Sequence, residues 1–392
     1  MGTTAAGLVD HAVAAGLVPG AVLAAGVRTA DPVLLHVAGH EQRDAAATRP
    51  MTADTVFDLA SLTKVVATLP IMLWLAGRGE VGLDHPVHRY LPRFAEPVAA
   101  GKPGGAAAMG GAGGAGGAGK NTVTVRQLLL HTSGLPGVRR YYQHLHDRSE
   151  ILAAALTEPL VAPPGAVFSY SDVGFIDLGE LATAVTGRGL DELVQDVVCG
   201  PLGMTATRYL PPVSWAGRIA ATEIVDGAAK VGVVHDENAE ILGGVAGHAG
   251  LFGTAADLAR YAAVWAGATE DGGLLLEGDG RERGPLWGMR AEALCCQTEE
   301  LDARRGLGWG LRRDRYDNMG DGWPDSGAGH TGFTGTSLSV DPRTGLWAVL
   351  LTNAVHFGRG PEHSVVGLRK QVHAAVAAEL LSPRGNDTVS VG

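Results

Sequence analysis

Near the start of the chain, Leu8, His11, Ala12 and Ala15 recur at three- and four-residue intervals. They share one face of a short helix over residues 3–15, which Gly16 ends. Two apolar runs with β character follow, residues 20–27 and 32–36, separated by a turn around Asp31 and Pro32. After a polar stretch, residues 39–50, the apolar segment 57–60 leads into a long apolar helix from Ser61. This helix is expected to bend near Pro70, whose ring nitrogen has no hydrogen to donate to the preceding turn. Ser61 therefore stands close to a helix N-terminus.

Residues 101–121 break the patterning. Glycine recurs at roughly every second position, and no aromatic or branched apolar side chain is present. A segment with nothing to bury predicts a mobile loop. Helical periodicity then prevails to about residue 287, over 123–130, 149–156, 173–185, 190–198 and 255–265. β character returns in 308–312, 335–340 and 346–352, the last two joined through Asp341, Pro342, Arg343, Thr344 and Gly345. An amphipathic helix over 361–381 closes the chain. Strands at both ends around a helical middle predict an α/β (α+β) fold in which residues 1–100 and 286–392 build one sheet lobe and residues 122–285 a helical lobe beside it.

Composition narrows the function. With 46% hydrophobic and 18% charged residues in 392, the chain can bury a large core and is not disordered. A formal charge of −10 without a separate basic patch argues against a nucleic-acid partner. The longest apolar windows, 65–76 and 346–355, fall short of the roughly 20 residues a membrane span needs. Cys199, Cys295 and Cys296 form neither a CxxC pair nor an even disulfide framework, which fits a reducing compartment. The first 20 residues lack the basic start and unbroken apolar stretch of a secretory signal, so the expected location is cytoplasmic. Cys295 and Cys296 read as buried packing residues. His144, His146 and His235 read as surface or loop histidines, and no metal or other cofactor is expected.

Three short stretches could carry chemistry. In Ser61, Leu62, Thr63, Lys64 the lysine lies three residues from the serine, on the same helix face. A buried lysine can activate a serine hydroxyl as a nucleophile; the alternative is a helix-capping serine. In Tyr170, Ser171, Asp172 the phenol could shuttle a proton and the carboxylate could hold Lys64 or a cationic substrate group. The alternative there is a core tyrosine followed by Asp172 capping a helix from Val173. In His330, Thr331, Gly332, followed by Phe333 and Thr334, small and polar residues at a strand edge would let a substrate lie along the sheet while a backbone amide meets an oxyanion; the alternative is a glycine-rich turn. No G-x-S-x-G elbow is present, which disfavours the α/β-hydrolase route to the same chemistry.

In this order the three stretches resemble the penicillin-recognising serine hydrolases, within them the group of class C β-lactamases, D-alanyl-D-alanine carboxypeptidases and related esterases. The resemblance extends through His131, Thr132, Ser133, Gly134, Leu135, through Pro201, Leu202, Gly203, Met204, through residues 247–257 and through Gly306, Leu307, Gly308, Trp309, about residues 20 to 355 in all. It implies a β-lactamase/transpeptidase-like fold, an antiparallel sheet flanked by helices with a mostly helical second lobe. It also implies that Ser61 forms an acyl-enzyme, with Lys64 and Tyr170 as the coupled acid/base pair. Backbone N–H groups of Ser61 and of Phe333 or Thr334 would form the oxyanion hole, and Asp172, His330, Thr331 and Gly332 would contact substrate.

Two departures matter. Asp172 stands where the family commonly has asparagine, which favours a protonated Lys64 and shifts weight as base to Tyr170. His330 stands where β-lactamases carry lysine, so a fixed cation for a substrate carboxylate becomes one that titrates. The expected activity is a cytoplasmic transacylase that moves an acyl group from a small-molecule ester or thioester to an amine or alcohol. The alternatives are an esterase, amidase or D-alanyl-D-alanine carboxypeptidase that uses water, and a catalytically silent ligand-binding relative.

Overall fold

A computed structural model of the chain describes residues 4–44, 47–96, 119–267 and 285–382. The glycine-rich stretch expected to form a mobile loop lies almost wholly outside the described residues. A seven-stranded antiparallel sheet forms the centre, in the order Thr48–Pro50, Leu34–Arg43, Gly20–Val27, Leu346–Thr352, Ser337–Asp341, Ala328–Thr331, Gly310–Leu311. Gly20–Val27 pairs with Leu346–Thr352 from Ala21 opposite Thr352 to Val27 opposite Leu346, so the middle of the sheet joins the two ends of the chain.

Apart from Thr352 both of these strands are apolar, because both faces of the sheet are covered. Along Gly20–Val27, Val22 and Ala24 enter one core while Ala21, Leu23 and Ala25 enter another. The strand period of two distributes a continuous apolar run over two layers. The second layer consists of the N-terminal helix, Ala5–Ala14, and the C-terminal helix, Val366–Leu381. The first layer is the helical part of the chain, including Val125–Leu129, Arg148–Thr157 and Asp172–Thr186. Helix Ala255–Ala266, which the sequence places in the helical lobe, packs on the sheet strands themselves.

Some elements differ from the sequence expectation. The second strand is Leu34–Arg43, not 32–36; it lies toward the sheet edge with much of its surface half-exposed, so polar residues continue it without apolar alternation. The segment after Ser61 is a π-helical turn, Lys64–Thr68, running into the α-helix Leu69–Gly77. Pro70 stands in the first turn of that α-helix, where its missing N–H disturbs least. Cys295 is exposed and Cys296 half-buried, because helix Pro285–Ala293 ends before them, so they are not the buried pair expected. His235, expected at the surface, is buried; its backbone N–H donates to Asp58 Oδ2 at 2.6 Å.

Candidate active site

The chain entering Ser61 is bent by Asp58. This buried carboxylate accepts from Ala60 N–H at 2.8 Å and from His235 N–H. Ala60 takes a φ of +46°, a left-handed conformation that a residue with a Cβ adopts only under constraint. The turn presents Ser61 just ahead of the Lys64–Thr68 turn. Its hydroxyl does not cap the helix but accepts from Lys64 Nζ at 3.0 Å.

Lys64 has no solvent exposure, and its ammonium is held by two hydrogen bonds and an ion pair. Besides Ser61 Oγ, Nζ meets the His248 carbonyl at 3.1 Å and Asp172 Oδ1 at 2.8 Å. The ring centroids of Tyr170 and Phe175 lie 5.1 and 5.7 Å away. Burial favours the neutral amine, but Asp172 and then Tyr170 outweigh it and hold the ammonium well above the usual lysine range. Lys64 is thus a fixed cation beside the Ser61 hydroxyl.

Tyr170 and Asp172 reach this point from the start of helix Asp172–Thr186. The helix cap is Ser171, not Asp172: Ser171 Oγ accepts from Gly174 N–H at 3.2 Å and donates to the Pro136 carbonyl at 2.7 Å. Asp172 is freed from capping and sits in the first turn, where a carboxylate suits the helix N-terminus. The Ser171 N–H donates to His131 Nδ1 at 2.9 Å. His131, at a φ of +59°, lays its ring 4.5 Å from that of Tyr170. Burial, reinforced by Arg305, Lys64 and His330, keeps this imidazole neutral. Because Nδ1 accepts, the proton is on Nε2, which finds no partner among the described residues.

On the facing side, His330 is the third residue of strand Ala328–Thr331, its ring 6.0 Å from Tyr170. It does not act as the titrating cation expected. Burial, followed by the charges of Lys64 and Arg305, pushes it down to about 3, so it is neutral at physiological pH. Gly332 begins the turn that follows, where a Cβ would lie 2.5 Å from the Leu59 carbonyl. Only glycine lets this turn approach the segment before Ser61 so closely. Thr334 and Thr336 tie the same turn down through hydroxyls donated to the carbonyls of Asp58 and Leu59, at 2.8 and 3.2 Å. Phe333 is exposed, its ring stacked 5.8 Å from His235.

Arg305 was not apparent from the sequence, although it directly precedes the Gly306, Leu307, Gly308, Trp309 stretch. It is buried, paired with Asp314 at 2.8 Å, and stacked 4.5 Å over Phe168 beside Tyr170. Its charge and that of Lys64 add to burial in keeping both neighbouring imidazoles neutral. Among the described residues no group of three or more histidine, cysteine, aspartate or glutamate side chains is arranged to hold a metal ion. No helix among them is long and apolar enough to cross a membrane.

The chain is similar to several known proteins. The putative D-alanyl-D-alanine carboxypeptidase of Escherichia coli K12 is 30% identical over 336 residues, covering 78% of this chain and 70% of its own length. Among solved structures, EstCE1, described as a hydrolase with promiscuous acyltransferase activity, superposes with a TM-score of 0.69 at 20% identity, covering 95% of this chain and 97% of its own. The LovD6 mutant of simvastatin synthase (LovD) from Aspergillus terreus gives a TM-score of 0.68 at 23% identity, with 95% of each chain covered. These likenesses establish the fold as β-lactamase/transpeptidase-like. The sequence model described as Beta-lactamase matches residues 5–367, nearly the whole described chain, and the protein belongs to the Beta-lactamase family.

Proposed function

We propose that this protein is an acyl-transfer enzyme that works through an acyl-enzyme on Ser61 and passes the acyl group from a small-molecule ester or thioester to an amine or alcohol. The observation that carries the reading is the buried contact of Lys64 Nζ with both Ser61 Oγ and Asp172 Oδ1. Lys64 held as an ammonium cannot take the serine proton, so that role falls to Tyr170. Ser61 Oγ attacks the donor carbonyl while its proton passes to the Tyr170 oxygen and the phenol's own proton passes on to the leaving oxygen or sulfur. The backbone N–H groups of Ser61 and Phe333 receive the oxyanion, the bond to the leaving alcohol or thiol breaks, and that group leaves with the proton. The acceptor then repeats the sequence in reverse, giving its proton to Tyr170 while the Ser61 ester is cleaved.

The neutral His330 shapes the choice of donor. With no cation at that position, the site does not match a substrate carboxylate beside the scissile bond, which favours neutral esters over β-lactams or D-alanyl peptides. The names of EstCE1 and LovD, an acyltransferring hydrolase and a synthase, support transfer. Water as acceptor is the second reading, favoured by the carboxypeptidase name of the Escherichia coli relative. The three free thiols fit the reducing, cytoplasmic setting proposed for the chain.

The test supplies 4-nitrophenyl butyrate with a panel of amines and alcohols, and follows the mass of intact protein and the ratio of transfer product to acid. Acylation at Ser61, lost in Ser61→Ala, with transfer product exceeding acid for at least one acceptor, is the expected result. Acid as the dominant product with every acceptor assigns hydrolysis, and absence of a Ser61 adduct overturns both readings.

A further inference from the structure

Arg369, on the C-terminal helix Val366–Leu381, is a buried guanidinium on the side of the sheet away from the helical lobe. Among the described residues no carboxylate lies within ion-pair distance of it, and burial alone pushes it down to about 10. Its Nη2 donates to the carbonyls of Gly332 at 2.6 Å and Thr336 at 3.0 Å, the two ends of the turn between strands Ala328–Thr331 and Ser337–Asp341. Neither carbonyl needs this donor to be satisfied. Gly335 N–H already donates to Gly332 O at 3.1 Å, and Gly332 N–H to Thr336 O at 2.8 Å. A buried cation without an anion costs stability, and here it relieves no unpaired group.

The carbonyl of Gly332 and the N–H of Phe333 are the two ends of one peptide unit. Every described peptide bond is trans, so these ends point in opposite directions. A donor that holds the oxygen toward the C-terminal helix therefore turns the N–H away from it. Because the donor is charged, it also polarises the unit and strengthens the N–H as a donor at the other end. The other oxyanion donor, Ser61 N–H, is fixed to the same turn through the bonds of Thr334 and Thr336 to the Asp58 and Leu59 carbonyls.

We propose that Arg369 is a positioning residue for acyl transfer, gripping the carbonyl end of the Gly332–Phe333 peptide so that its N–H end is aimed at the oxyanion that forms when Ser61 attacks. This rests on the acyl-transfer reading above. The role requires no contact between Arg369 and substrate, and it gives the C-terminal helix, remote in sequence from Ser61, a part in the chemistry.

The experiment compares wild type, Arg369→Met and Arg369→Lys in turnover of 4-nitrophenyl butyrate, in the Kd for phenylboronic acid, which forms a tetrahedral adduct on a nucleophilic serine, and in Tm. A misaimed oxyanion donor should lower kcat about tenfold to hundredfold with KM within about twofold, because the interaction exists only in the transition state. Boronate affinity should weaken by a similar factor. Arg369→Met should melt within a few degrees of wild type, since both carbonyls keep a backbone donor, and Arg369→Lys, charged but without the planar fork, should fall between the two in kcat. A kcat unchanged in Arg369→Met, or a loss carried in KM with boronate binding intact, overturns the proposal. If Arg369→Met does not fold, the same split in Arg369→Lys decides. A wild type that neither turns over the ester nor forms a Ser61 adduct removes the acyl-transfer reading and this inference with it.

Discussion

Lys64 and Asp172 form a buried ion pair, Nζ to Oδ1 at 2.8 Å, in which the lysine has no solvent exposure and the aspartate side chain 17%. The pair reverses the usual consequence of burying a lysine. In Asp172→Asn burial dominates, and the Lys64 pKa should drop below its ordinary 10.5. The sign of the pH dependence of stability then changes. In wild type, where the folded pKa is raised, the contribution is complete below 10.5 and is lost as pH climbs through the folded value. In Asp172→Asn the unfolded chain binds the proton more tightly, so stability is lower at pH 7 and recovers as pH rises toward 10.5. Leaving the buried ammonium without its partner should cost up to about 3–5 kcal/mol near neutrality. Thermal melts of both proteins between pH 7 and 11 check this, and parallel curves would contradict it.

Tyr170 and Lys64 should act as one proton-transfer unit, since the Lys64 ammonium lies 5.1 Å from the Tyr170 ring and Tyr170 helps to hold Lys64 protonated. Tyr170→Phe and Lys64→Ala should each slow acylation of Ser61 by about a hundredfold or more. The double variant should lose little beyond the worse single one, because a unit missing one part is already disabled. Rates of 4-nitrophenol release measure all three, and losses that multiply would show two independent functions.

How much of this could be read from the sequence depended on how local the signal was. The halves of the sheet were legible because Gly20–Val27 and Leu346–Thr352 are buried on both faces and so, Thr352 aside, apolar. Ser61 and Lys64 were legible because their separation of three places them on one helix face. Leu34–Arg43 runs past the apolar run 32–36 because a half-exposed strand carries no apolar alternation to mark its length. Ala60 and His131 adopt positive φ without being glycine, held there by bonds such as Asp58 to Ala60 N–H, which local sequence does not disclose. The charge state of His330 is set by burial, Lys64 and Arg305, groups that only the folded chain gathers. Arg369 reaches the turn through two carbonyls, and a bond to backbone leaves no mark on the identity of its partner residues.

Gly332→Ala should separate close packing from loop flexibility. The added methyl would lie 2.2 Å from Thr336 Oγ1 and 2.5 Å from the Leu59 carbonyl, forcing the turn away from the segment before Ser61. Overpacking of this kind costs about 1–3 kcal/mol, and moving the turn also moves the Phe333 N–H. The expected result is a lower Tm together with a slower acylation rate. Wild-type acylation in Gly332→Ala would show that the approach of this turn to Leu59 is not needed for the chemistry.

Acid should destabilise the fold through its buried histidines, and His373 isolates the effect. Its ring is fully buried on the C-terminal helix, facing the hydroxyls of Ser337 at 3.2 Å and Ser339 at 2.9 Å. Burial, and then the charge of Arg369, pushes it down to about 3. An unfolded histidine binds a proton near 6.5, so the folded state's advantage is intact above that pH and declines as pH falls toward 3. The loss is about 1.4 kcal/mol for each pH unit in this window. His330 adds a similar slope from its own pushed-down value. In His373→Gln the amide can still reach the two hydroxyls while the proton-binding step is gone, so the decline in stability between pH 6.5 and 4 should be shallower than in wild type by about one proton. Denaturant titrations across that range measure the slope directly. Equal slopes would mean that His373 does not stay neutral in the folded state.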